Sequence, residues 1–212
     1  MKKLNKLELK SYVENHNNVE WKYISQFQTL SESFIEKYSD LVNWWAIQEF
    51  QTLSESFIEK YKDKVDWEAI SEYQTLSESF IEKYKDKVDW YCISRYQTLS
   101  ESFIEKYSDL VNWWAIQECQ TLSETFIENN ENINWKTISR YQVLSESFIE
   151  KHKDKVEWKY ISMCQTLSES FIENHINLIN WYYIKDYQTL SESFIEKYKK
   201  KRIEKYKKEH IK

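Results

Sequence analysis

One phrase, Trp-x-x-Ile-x-x-x-Gln-Thr-Leu-Ser-Glu-Ser-Phe-Ile-Glu-Lys, is written eight times along the 212 residues of this chain with few substitutions. Its glutamines, Gln28, Gln51, Gln74, Gln97, Gln120, Gln142, Gln165 and Gln188, stand 23 residues apart except for one 22-residue step after Gln120. A fixed period between about 20 and 50 residues marks a solenoid or array, in which each unit buries its apolar face against its neighbours. The repeat therefore outranks every shorter motif, and no separately folded domains are expected.

Within one copy, Trp67, Ile70, Tyr73 and Gln74 recur at three and four residues, the spacing of one helix face. Asp66 before this Trp, or Asn43, Asp89, Asn112, Asn134 and Asn180 in other copies, is a short acceptor able to cap the first turn. Thr75-Leu76-Ser77-Glu78 then matches a capping box, with Thr75 expected as the cap and Glu78 reaching back, and opens a second helix whose face is Leu76, Phe80, Ile81 and Tyr84. The expected fold is all-α: an open αα-hairpin solenoid of about eight 23-residue repeats, each two short antiparallel helices, over residues 1–198 with a partial repeat at 7–21. Residues 199–212 read as a basic helical tail, a solvated cap with nuclear targeting or polyanion contact as alternatives.

Slots that never change carry the packing frame. Trp, Ile, Leu and Phe are read as core, because helices this short persist only through tertiary burial. The Gln shares the inward phase of Trp and Ile, so it needs hydrogen-bond partners and is expected to bond backbone at the hairpin turns. Glu36, Glu59, Glu82, Glu105, Glu128, Glu150, Glu173 and Glu196 form an acidic row, solvated or paired with Lys between repeats. Cys119 and Cys164 fall six after the Trp, where other copies carry Phe27, Phe50, Tyr73, Tyr96, Tyr141 or Tyr187, and are read as core with them.

Composition excludes several chemistries. The chain has no Gly, which removes phosphate-cradling loops, and three Cys without a CxxC, which disfavours a disulfide framework or zinc site. His16, His152 and His175 occupy a Tyr slot rather than a cluster, and no asymmetric set of acid, base and nucleophile stands outside the repeat. No enzyme activity, cofactor or metal is expected. The first residues lack an apolar secretory segment and no stretch of 18 apolar residues occurs, so an intracellular, cytoplasmic protein is expected. Net charge is -5, but residues 199–212 hold eight Lys or Arg against two Glu, leaving -11 on the rest.

Chemistry changes from copy to copy one, two and five residues after the Trp, on the helix face opposite Ile. The first slot holds Lys22, Trp45, Glu68, Tyr91, Trp114, Lys136, Lys159 and Tyr182; the fifth holds Gln26, Glu49, Glu72, Arg95, Glu118, Arg140, Met163 and Asp186. A constant frame with a varying surface makes these residues the candidate recognition strip, and its exposed aromatics suit an interface. Drift on an unused surface is the competing explanation. Residues 28–49 and 97–118 are identical, a sign of block duplication that counts against fine tuning.

The string from Trp67 to Ile81, Trp-Glu-Ala-Ile-Ser-Glu-Tyr-Gln-Thr-Leu-Ser-Glu-Ser-Phe-Ile, resembles the tryptophan-bearing repeat proteins encoded in multiple copies by large DNA viruses with AT-rich genomes. The likeness covers residues 7–198 and brings no catalytic residues with it. It implies a viral origin and a host protein as partner. The expected function is a protein-binding scaffold. A modular nucleic-acid reader, which the acidic body disfavours, and a self-assembling structural protein are the alternatives.

Overall fold

The computed structural model describes residues 3–16 and 18–198, and the notion of residues 199–212 as a helical tail lies outside them. Every regular element among the described residues is a helix. The chain divides into two compact units, 1–116 and 117–212, the division falling inside one helix.

In the first unit α1 (Lys6–Asn15) is followed by pairs: α2 (Trp21–Phe27) and α3 (Glu32–Lys37), α4 (Trp44–Phe50) and α5 (Glu55–Lys60), α6 (Trp67–Tyr73) and α7 (Glu78–Lys83), α8 (Trp90–Tyr96) and α9 (Glu101–Lys106), then α10 (Trp113–Cys119). The second unit continues with α11 (Glu124–Asn129), α12 (Trp135–Tyr141), α13 (Glu146–Lys151), α14 (Trp158–Cys164), α15 (Glu169–Asn174) and α16 (Trp181–Tyr187), and α17 spans residues 192–198. Each repeat is thus the expected αα-hairpin, a Trp helix followed by a Phe helix. Helices of six or seven residues are far below the length at which a helix stands alone in water, so packing between repeats must hold them.

The absence of glycine matches how these helices end. Many helices stop at a left-handed residue that favours Gly, whereas here each Trp helix with a described cap stops when its Gln turns to extended backbone, as at Gln74 with φ -101° and ψ 149°. No described residue has positive φ.

The Phe helices start differently from the expected Thr capping box. The cap is Ser77, whose hydroxyl accepts from the Phe80 amide at 3.2 Å, and Glu78 does not fold back onto its own helix. Instead, in both units, such a Glu reaches one repeat forward. Glu55 accepts from the Ser77 amide at 2.6 Å, and Glu146 accepts from the Ser168 amide at 2.5 Å. The box is therefore closed between repeats, which ties helix initiation to stacking.

Both units are centred on two isoleucine columns. Ile47, Ile58, Ile70, Ile81, Ile93 and Ile104 in the first unit, and Ile138, Ile149, Ile161 and Ile172 in the second, have no exposed surface. Leu and, in most copies, Phe are buried beside them, as expected. The Trp slot departs from the expected core, since every rung Trp is only half-buried. Its indole lies at the edge of the stack. Trp67 packs on Phe80 and Tyr84 of the following helix at 6.3 and 4.8 Å, its N–H donates to the Lys62 carbonyl at 3.2 Å, and the Lys87 ammonium covers the ring at 5.6 Å. His152 takes the Tyr place in the second unit, 4.8 Å from Trp135 and 4.5 Å from Phe148.

The invariant Gln is the polar joint between repeats. Gln74 Oε1 accepts from the Leu53 amide at 2.9 Å, while its Nε2 donates to the Gln48 and Gln51 carbonyls at 2.6 and 2.8 Å. Gln165 does the same in the second unit with the Leu144 amide and the Ser139 and Gln142 carbonyls. One side chain thereby satisfies three buried backbone groups left over where the preceding Trp helix ends. The slot four after the Trp adds a second joint: Ser71 Oγ accepts from the Asp89 amide at 3.0 Å, and Gln48 Oε1 from the Asp66 amide at 2.5 Å. The acidic row pairs between repeats as Lys83–Glu59 and Lys106–Glu82 in the first unit and Lys151–Glu128 and Lys197–Glu173 in the second.

The single 22-residue step is local. Helix α11 ends at Asn130 in extended backbone where other copies have an aromatic cap, and Gln117 Oε1 holds the shortened turn by accepting from the Asn134 amide at 2.6 Å.

Candidate functional site

The frame fixes which side of each Trp helix is free. Slots three and four after the Trp face the isoleucine columns and the joints, leaving slots one, five and six outward, as the burial along α4 and α12 shows. In the first unit Lys22, Trp45, Glu68, Tyr91 and Trp114 are exposed, and Gln26, Glu49, Glu72 and Arg95 are half-buried beside them. In the second unit Lys136, Arg140, Lys159, Tyr182 and Asp186 are exposed, with Glu118 and Met163 half-buried. Each unit presents its own part of the strip.

Two expectations about this face need correction. The slot two after the Trp does not face outward: Ala46, Ala69, Cys92 and Ala115 are buried, and Thr137, Tyr160 and Tyr183 are half-buried. Stacking explains it, because this slot packs against the preceding Trp helix. Cys92 lies close enough to Glu68 and Glu72 to feel their charge, and burial first, then a hydrogen bond with Asp89, pushes its thiol up to about 12.

The second correction is the sixth slot, expected in the core. Phe27, Phe50, Tyr73 and Tyr96 are 43–49% exposed in the first unit, and Cys119, Tyr141, Cys164 and Tyr187 are likewise exposed in the second. Its tolerance of Phe, Tyr and Cys was the available signal, since a close-packed position that accepts Ile alone in every copy does not exchange a large ring for a thiol.

In the first unit the strip is aromatic and acidic at its centre. Trp45 and Phe50 meet edge to face at 6.4 Å. Tyr73 sits by two carboxylates: partial burial raises its pKa first, with the charge of Glu72, a hydrogen bond to Glu72 and the charge of Glu49 adding to it. The Glu49 Oε2 atom is buried and has no hydrogen-bond partner among the described residues. One repeat on, the Arg95 guanidinium lies over Tyr96 at 5.6 Å and over Trp114 at 5.9 Å.

In the second unit the strip is aromatic and basic. Arg140 lies over Tyr141 at 4.9 Å and Tyr160 at 5.5 Å, and Lys159 over Tyr160 at 5.7 Å and Tyr183 at 5.8 Å. These contacts join consecutive Trp helices across their outer face.

Among the described residues, no group of three or more His, Cys, Asp or Glu is arranged to hold a metal ion, and no helix is long and apolar enough to cross a membrane. The fold and this face define an αα-hairpin repeat protein with a constant packing frame and a varied, aromatic-rich surface. No family model, curated protein or solved structure matches the chain.

Proposed function

We propose that this chain is a non-enzymatic scaffold that binds a protein partner through the outward slots of its Trp helices. One observation carries the reading: in the first unit Phe27, Trp45, Phe50, Tyr73, Tyr91, Tyr96 and Trp114 are 42–55% exposed although the frame needs none of them there. Large aromatics left in water on successive repeats are costly to keep without a partner and are enriched where interfaces concentrate their energy. The same outward face changes its charge from one copy to the next while the frame is kept, which suits recognition.

The likeness to viral tryptophan-repeat proteins supports a host protein as the partner. Three cysteines, an odd number with no CxxC among them, suit a reducing, intracellular compartment. The test is affinity capture with the chain and with a Trp45→Ala, Tyr91→Ala, Trp114→Ala variant of unchanged melting temperature. Capture should fall for the variant; an unchanged set of partners sinks the proposal. Running the capture with nuclease separates a nucleic-acid reader, whose partners would vanish with the nucleic acid.

A further inference from the structure

We propose that the first unit's strip seats lysine and arginine side chains, and that its occupant is the basic segment 199–212 of a second copy of this chain. The proposal rests on the strip being a binding surface and names what fills part of it.

The strip already shows how it holds cations. Where the fifth slot is Arg, the guanidinium lies between the aromatic that follows it and one on the next Trp helix, as Arg95 does with Tyr96 and Trp114, or Arg140 with Tyr141 and Tyr160. A ring face attracts a cation electrostatically, so these pairs are sockets between consecutive repeats.

In α4 and α6 the fifth slot is Glu49 and Glu72 instead, beside Trp45, Phe50 and Tyr73. The following aromatic is kept, as Phe50 and Tyr73, while the resident charge is reversed; on the next Trp helix Tyr91 stands in the first slot after Glu72, and a further carboxylate, Glu68, stands there after Glu49. Among the described residues no Lys or Arg pairs with Glu49, Glu68 or Glu72, whereas the acidic row on the Phe helices is paired through Glu36, Glu59 and Glu82 in the same unit. Glu49 Oε2 is buried without a hydrogen-bond partner among the described residues. An incoming ammonium or guanidinium onto which this carboxylate turns would supply the missing donor and offset one of the three charges, with Trp45 and Tyr73 giving it ring faces, and a segment with several such cations would offset them all.

The chain supplies a matching segment. Residues 199–212, Lys-Lys-Lys-Arg-Ile-Glu-Lys-Tyr-Lys-Lys-Glu-His-Ile-Lys, carry eight Lys or Arg against two Glu, with Ile203 and Tyr206 to meet an aromatic surface. Like charge turns this segment away from the second unit's strip, where Lys136, Arg140 and Lys159 stand outward. The acidic centre around Glu49, Glu68 and Glu72 is its complement.

Sedimentation velocity of the full chain at about 0.05 M and about 1 M salt tests this, since exposed charge pairs are screened at the higher value. The chain should associate at low salt and separate at high salt. A tail variant (Lys199→Ser, Lys200→Ser, Lys201→Ser, Arg202→Ser) and a strip variant (Glu49→Gln, Glu68→Gln, Glu72→Gln) should each associate at least about tenfold more weakly. Mixed together they should restore a pair, because one keeps the strip and the other the tail. A full chain that stays monomeric, association that survives either variant, or a mixture that does not pair overturns the proposal. If the strip variant folds poorly, the tail variant still decides: undiminished association sinks the idea. Partner capture through the strip by a monomeric chain would overturn this inference alone and leave the scaffold reading standing.

Discussion

Replacing Gln74 by Ala should be among the most damaging single changes to this protein, although Gln74 touches no part of the strip. Its side chain is 4% exposed and makes three hydrogen bonds, accepting from the Leu53 amide and donating to the Gln48 and Gln51 carbonyls. Each such bond contributes about 1 kcal/mol net, and a buried donor left unpaired costs about 1–3 kcal/mol, so the orphaned Leu53 amide makes the loss larger than three average bonds. Removing one buried methylene adds about 0.8 kcal/mol. Together these give about 4–6 kcal/mol, a large share of the roughly 5–15 kcal/mol that holds an ordinary domain.

Repeat arrays need not unfold in one step, so the assay is urea denaturation read together with hydrogen exchange. Gln74→Ala should shift the midpoint sharply and strip protection from the Leu53 amide first. Thr75→Ala, next door but exposed, should do neither. A loss below about 1 kcal/mol with Leu53 still protected would refute the idea that the Gln is a joint, since even one buried unpaired amide should cost more.

Three further outcomes follow from the same frame. Ser77→Ala should cost about 1 kcal/mol by uncapping α7, measured against Ser79→Ala by thermal melts. Hydrogen bonds from Lys106 and then Tyr107 hold the Glu82 carboxyl below its usual 4.5, so the stabilisation from this pair is present above that pH and disappears as pH falls through the lowered value. An NMR titration of Lys106→Met should bring the Glu82 midpoint back toward 4.5; no movement removes the pairing argument. Of the three thiols, Cys119 and Cys164 should react with a disulfide reagent in the native protein and Cys92 only after unfolding, because Cys92 is buried with its thiol pushed to about 12.

The hairpins were legible because their signals are local. Trp67 to Ile70 to Gln74 gives the helical spacing, Asp66 the cap, and recurrence at a constant interval the stacking. What escaped the sequence depends on the neighbouring repeat. Glu78 stands where a capping Glu should stand relative to Thr75, yet Ser77 is the cap, and the Glu carboxylates serve the next repeat. Only the rise from one hairpin to the next shows that a carboxylate reaches the amide 22 residues on.

The same limit hid the strip's edges. The slot of Ala69 and Cys92 changes between copies, from Ala to Tyr, and so resembled surface, but it lies against the preceding Trp helix and is buried or half-buried in every copy. Tyr73 and Phe50 are aromatic and so resembled core, but a seven-residue helix places its last residue beyond the Ile columns.

The proposed division of the repeat, a frame that folds and an outward strip that binds, meets its most direct test in one comparison. Trp45→Ala with Tyr91→Ala and Trp114→Ala should leave the melting temperature within a degree or so of the parent, about the size of an ordinary surface change, while abolishing capture of the partner. A collapse in melting temperature would place these aromatics in the frame, and full capture by a stable variant would place the binding surface elsewhere.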